Sequence, residues 1–172
     1  MSDTTYNNYF GACKIPKKKW LKKTASRKSI YNIWVKINLC LWGMLIVNRD
    51  RHCQWCGKVD NLTPHHIIAR GATHSCKMAW FDLVNGITLC YQCHIIKLKQ
   101  SPHSYVEFID RWLSKGGLSQ KSLESKFMRT KVSLEDLKII FIEEKGLCEK
   151  VGIPYTENKT FQRLSKTIEK NQ

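Results

Sequence analysis

The chain is predicted to be an α+β protein: a small core of two strands and a helix, flanked by N-terminal and C-terminal helices. Three observations lead there. Between Ile30 and Val47 the apolar residues Ile30, Ile33, Trp34, Ile37, Leu41, Met44 and Leu45 recur at the interval that puts them on one face of a helix. Two short runs, at 63–68 and 87–89, carry branched apolar residues and are bordered by turn formers, as strands are. Beyond Pro102 the apolar residues return to helical spacing. At 172 residues this is one ordinary domain with extensions.

In chain order, residues 1–29 read as a mobile basic arm. Between Lys14 and Lys28 they hold eight lysines and arginines and no acid, with Trp20 and Leu21 set among them. A central domain is expected over 30–114, opening with the helix from Ile30 to Val47. Its most apolar run, Leu39 to Val47, is too short to cross a bilayer, and Lys36 and Asn38 interrupt it upstream, so no membrane is expected. Residues 48–62 have turn chemistry around a CxxCG, and a strand over 63–68 and a loop to about Phe81 follow. The second strand covers Ile87 to Leu89, and CYQCHIIKLK continues as a helix. Pro102 breaks that helix, and YVEFIDRWL from Tyr105 forms an amphipathic successor ended by Lys115, Gly116 and Gly117. In the C-terminal extension, 115–172, Ser133 and Asp136 make a capping pair for a last long helix to about Val151. The tail after Pro154 reads as polar and frayed.

Charge narrows the partner. Lysine and arginine number 29 against 14 acids, a net charge of +15, which calls for a polyanion. Phosphate backbone is favoured, since each neutralised phosphate releases counterions; an anionic membrane surface is the lesser reading. The start, MSDTTYNNYF, lacks the basic and apolar regions of a secretory signal, so a reducing cytoplasm is expected. There, eight cysteines do not make a disulfide framework.

Four of those cysteines are patterned. CQWC (Cys53, Cys56) is matched by CYQC (Cys90, Cys93). Each CxxC turn sets two sulfurs on one side of a tetrahedron, so two knuckles close the shell of a structural Zn²⁺ and leave no position for substrate. Unrelated buried thiols or a redox pair are the weaker readings. Cys13, Cys40, Cys76 and Cys148 read as apolar fillers or incidental thiols.

Inside this frame lie His65, His66 and Asn85, and His94 follows Cys93 directly. A structural zinc site needs none of them, whereas metal-assisted phosphodiester hydrolysis needs ligands for a divalent ion and a base for water. Taken singly, each has an ordinary reading as a strand, turn or helix-start residue. Together, the residues CQWCG, PHHII and NGITLCYQCH resemble the HNH endonucleases of the ββα-metal (His-Me finger) group, in the branch braced by two CxxC knuckles. The match runs from about Arg49 to Lys99. With Arg49 and Asp50 before the knuckle and the helix after Pro102, it is also similar to phage recombination nucleases of the NinG or Rap kind.

That resemblance implies roles. His65 and His94 would bind the catalytic divalent ion, His66 would be the general base, and Asn85 would hold the inter-strand loop and orient that base. With most of its shell left to water and phosphate, the ion would be Mg²⁺, with Mn²⁺, Ni²⁺ and Zn²⁺ as alternatives. Where some members carry a further histidine, this chain has Leu98. Arg70, Lys77 and Lys97 flank the site and would hold phosphates, with solvated charge as the plain alternative. Trp20, Trp55 and Trp80 either stack on bases or, for the last two, shield the zinc hairpin. His74 is read as a solvent or DNA contact, and His52 and His103 as surface residues. The expected function is a phage-type DNA endonuclease acting in recombination or DNA processing. A homing or restriction-type HNH enzyme and a non-catalytic zinc-ribbon DNA-binding protein are the rivals. A homodimer would couple two nicks across symmetric DNA.

Overall fold

The computed structural model describes residues 26–71, 77–126 and 131–170. Most of the expected basic arm, with Cys13 and Trp20, lies outside the described residues, as do His74 and Cys76. The arm's last residues are helical: Ser26 caps α1 (Arg27–Asp50) by accepting a hydrogen bond from the Ser29 N–H. The helix ends at Arg51, whose φ of 60° turns the chain left-handed while its N–H bonds Val47 O. It thus extends past both ends of the apolar period. Its 24 residues reach the length of a membrane span, with a mean hydropathy of 1.5 over an 18-residue window, so the apolar helix is longer than the run Leu39–Val47 alone. The apolarity has an internal explanation. Trp34, Ile37, Leu41, Trp42, Leu45 and Ile46 are all buried, and the buried Asn38 donates to Leu137 O at 2.8 Å.

Strands β1 (Leu62–His66) and β2 (Gly86–Cys90) form an antiparallel pair with Leu62 opposite Cys90 and His66 opposite Gly86. The first strand stops at His66 rather than at Ile68, because Asn85 captures the next backbone groups: Ile67 N–H bonds its carbonyl and Ile68 N–H its side-chain Oδ1. The hairpin lies against α1 through Pro64, Gly86 and Thr88. Thr88 donates its hydroxyl to Ile46 O, and a Cβ on Gly86 would sit 2.7 Å from Ile46 Cγ1 and 2.8 Å from Trp42 Cζ2. Only glycine permits that approach.

After β2 the expected helix begins as a π-helix, Gln92–Lys97; Leu98 N–H closes onto Cys93 O, and α2 (Leu98–Gln100) completes the turn. Pro102 begins α3 (Pro102–Lys115), where its missing N–H costs nothing. A short α4 (Gln120–Lys126) comes next, within the C-terminal extension expected to be helical. The expected capping box of Ser133 and Asp136 starts α5 (Leu134–Lys150). The tail after Pro154 is not frayed: it forms α6 (Lys159–Glu169), capped by Asn158, with Phe161 and Leu164 buried. Phe161, Leu164 and Ile168 supply a helical apolar stripe that the surrounding polar residues obscure.

Two apolar clusters result. One joins α1, α5 and α6; the other joins Ile67, Ile68, Ile87 and Leu89 of the hairpin region to Phe108, Ile109 and Leu113 of α3 and to Leu123 of α4. The molecule is therefore helix-rich, with a two-stranded sheet set between α1 and the segment that follows β2.

Candidate metal centre and histidine site

The four cysteines of the two knuckles converge. Their sulfur atoms all lie within 4.8 Å of one another, and Cys56 Sγ is 3.6 Å from Cys90 Sγ. Four thiolates about 2.3 Å from a tetrahedral zinc would stand roughly 3.8 Å apart, so the donor set and its spacing fit the ion. The first knuckle is shaped by Cys53 N–H bonding Lys58 O and by Gly57, whose φ of 78° lets its N–H return to Cys53 O. Cys53, Cys90 and Cys93 are buried, whereas Cys56 is exposed. Burial opposes ionisation of Cys53, but hydrogen bonds from the backbone of Cys90, Cys56 and Trp55 prevail and lower its pKa to about 7. Burial pushes the Cys56 and Cys93 thiols up. Cys40 is half-buried and Cys148 buried, both in or against the helical cluster, consistent with apolar filling.

Alternation along β1 separates the two histidines. His65 shares a face with Thr63, toward the π-helix; its ring is 4.6 Å from that of His94 at 76°, and 5.5 Å from Tyr105 at 90°. His66 shares a face with Pro64, toward α1, and stacks on Trp42 at 4.0 Å and 10°. His66 Nε2 is 3.0 Å from Trp80 O. A carbonyl only accepts, so this nitrogen carries the proton and Nδ1 keeps the lone pair. Thr63 fixes the other ring. Its hydroxyl donates to Leu89 O at 3.1 Å, so the 2.9 Å contact with His94 has Nδ1–H donating to Thr63 Oγ1, and His94 Nε2 is left with its lone pair.

All three rings are held neutral. Burial, then the proximity of His94 and His66, lowers the pKa of His65 to about 4. Burial also lowers His94. For His66, burial outweighs the bond to Trp80, which acts the other way, and Arg70 adds to the lowering. Neutral imidazoles are the form that binds cations or accepts protons. Burial likewise holds the Tyr105 phenol above its usual value, so it stays a donor.

Asn85, wholly buried, ties the inter-strand segment together. Besides accepting from Ile68 N–H, it donates to Ala79 O at 2.8 Å and Ile68 O at 3.3 Å, which places it one residue from the carbonyl that orients His66. Arg49 in turn grips both sides of Asn85, donating to Leu83 O and Gly86 O at 2.8 Å each. Asp50 accepts from Arg49 and from Thr88 N–H at 2.7 Å. The basic residues lie over aromatic rings: Lys97 over Trp55 at 4.1 Å, Lys77 over Tyr31 at 4.5 Å and Trp80 at 5.6 Å, and Arg70 over Trp80 at 5.9 Å. Trp55 stacks on Phe108 beside the zinc knuckle, while Trp80 packs on the helical cluster. His52 and His103 are exposed.

Sequence reasoning passed over Thr63, Trp42, Tyr105 and the Trp80 carbonyl. Thr63 was within reach, since it stands two residues before His65 and so shares its face. The others join the site only through tertiary packing. Compared with known protein families, curated proteins and solved structures, the chain matches none of them.

Proposed function

We propose that this chain is a metal-dependent DNA endonuclease of the HNH type, built on a structural zinc, that hydrolyses phosphodiester bonds with a single catalytic ion and a histidine base. The observation that carries the proposal is the pairing of His65 with His94, next in the chain to a His66 whose Nε2 is committed to a backbone carbonyl. The order strand, strand, helix, with His65 and His66 on β1 and His94 on the helical turn after β2, supports the same reading.

In this mechanism His65 and the Nε2 of His94 hold the divalent ion, Mg²⁺ or one of Mn²⁺, Ni²⁺ and Zn²⁺. When bound, the ion neutralises charge on the scissile phosphate and on the departing oxygen. His66 takes the proton of the attacking water on Nδ1, while its Nε2–H stays on Trp80 O so that the ring cannot rotate out of line. Asn85 holds Ala79 and hence that carbonyl in place. Arg70, Lys77 and Lys97 anchor phosphates flanking the cut, their aromatic platforms restricting them to one orientation. The net charge of +15 suits a polyanionic substrate. By resemblance, a branched recombination intermediate in a bacterial host cytoplasm is the substrate and setting.

The test is divalent-dependent cleavage of linear, supercoiled and four-way-junction DNA by wild type and His66→Ala. The variant is expected to lose about 10²- to 10⁴-fold in rate while keeping its zinc and its DNA affinity. Cleavage that survives the substitution removes the mechanism. Binding without cleavage by the wild type favours a second reading, a non-catalytic zinc-ribbon DNA-binding protein, which the same charge supports.

A further inference from the structure

Among the described residues, buried side-chain atoms without a hydrogen-bond partner occur on Asn38, Glu144 and Tyr105. The first two belong to helices of the bundle. The Tyr105 hydroxyl differs in its neighbours: its ring stands edge-on to His65 at 5.5 Å, walled by Trp55 at 5.7 Å and Phe108 at 6.4 Å. The residue is carried on the first turn of α3, with its N–H on Ser101 O. A hydroxyl withdrawn from water without a partner destabilises the resting fold, and such an atom is explained when its partner arrives with a ligand. The site has room in its chemistry for that partner. Two imidazoles supply only part of a divalent ion's shell, and the remaining ligands are oxygens of water or phosphate, which accept hydrogen bonds.

On the histidine-site reading above, we propose that the Tyr105 hydroxyl donates a hydrogen bond to an oxygen in the shell of a divalent ion held by His65 and His94. Tyr105 is then a positioning residue for that ion. It is not itself a metal ligand, since a neutral phenol is a poor one, and it acts through the water or phosphate oxygen it holds. The arrangement parallels outer-shell partners of metal sites in general, whose loss weakens the ion without touching its direct ligands. It also assigns a function to the position of α3, which brings an aromatic donor to the face of β1 that carries His65.

The experiment titrates Mn²⁺ into the zinc-loaded full chain by calorimetry, for wild type, His65→Ala and Tyr105→Phe, and records melting with and without Mn²⁺. Wild type is expected to bind one Mn²⁺ that His65→Ala abolishes, and Tyr105→Phe to bind it roughly tenfold more weakly. Without Mn²⁺, Tyr105→Phe melts at or above the wild-type temperature, because an unpartnered hydroxyl has been removed. Cleavage should fall in parallel at low Mn²⁺ and recover at saturating Mn²⁺. If wild type binds Mn²⁺ through His65 and Tyr105→Phe binds it equally well, the role of Tyr105 is overturned and the histidine site stands. A lower melting temperature for metal-free Tyr105→Phe also overturns it, by showing that the hydroxyl has a partner in the resting protein. If wild type takes up no Mn²⁺ at all, the histidine-site reading falls, and this proposal with it.

Discussion

At the scale of single residues, the polar groups in the interior divide into those that are bonded and those that are not. Asn85 and Thr88 are fully buried with their partners in place. Glu144 is buried with neither carboxylate oxygen bonded, and burial followed by the charge of Glu143 pushes its pKa up to about 9 from 4.5. The unfolded chain ionises this group from about pH 4.5, and the folded chain holds the proton to about pH 9. Between those values the folded state binds more protons, so stability falls as pH rises. Glu144→Gln should remove that slope and raise the melting temperature at pH 7.5 by about 5 °C, as read by thermal melts across pH. A slope that persists in the variant would place the linkage elsewhere. The sequence did not foretell this group, because Glu144 falls within LEDLKIIFIEEKG, where the apolar stripe is broken and either face of the helix is plausible. The two CxxC pairs were legible for the opposite reason: the spacing within each pair is local chemistry that does not depend on which face is buried.

At the scale of elements, the π-helix is the joint between the cysteine cluster and the histidine pair. Cys93 and His94 are consecutive, yet one reaches the cysteine cluster and the other Thr63 and His65. Anchoring Cys93 on zinc fixes the backbone from which His94 projects. Removing zinc with a strong chelator should therefore lower the melting temperature by at least about 10 °C and abolish the proposed cleavage, with that activity returning on readdition of Zn²⁺ together with the proposed catalytic ion. Activity that persists in a chain shown to be zinc-free would uncouple the two sites. The helical period around CYQCHIIKLK announced a helix but could not disclose its extra residue per turn, since a π-turn reflects what the neighbouring sulfurs and β2 demand of the backbone. The end of β1 was misjudged on similar grounds. Ile67 and Ile68 have strand-forming side chains, and the decision is made by Asn85, seventeen residues on. α6 was hidden because its three apolar anchors are dispersed among Lys159, Gln162, Arg163 and Lys166, which face outward.

For the molecule as a whole, the excess of positive charge gives the proposed partner its test. With a net charge of +15, the proposed nucleic-acid binding should weaken by about 10³-fold or more between roughly 50 and 200 mM salt, measured as a linear fall of log affinity with log salt. A flat response would point to a partner recognised by something other than phosphate. The long helix α1 bears on a different whole-molecule property. Trp34, Ile37 and Leu41 belong to the bundle with α5 and α6, while Trp42, Ile46 and Gly43 meet the hairpin through His66, Gly86 and Pro64. One rod is thus a wall of two chambers. Neither chamber can open without exposing part of the same apolar stave, so the chain should lose its structure in a single cooperative step, and stress on the zinc knuckles should register as hydrogen exchange in helices that never touch the metal.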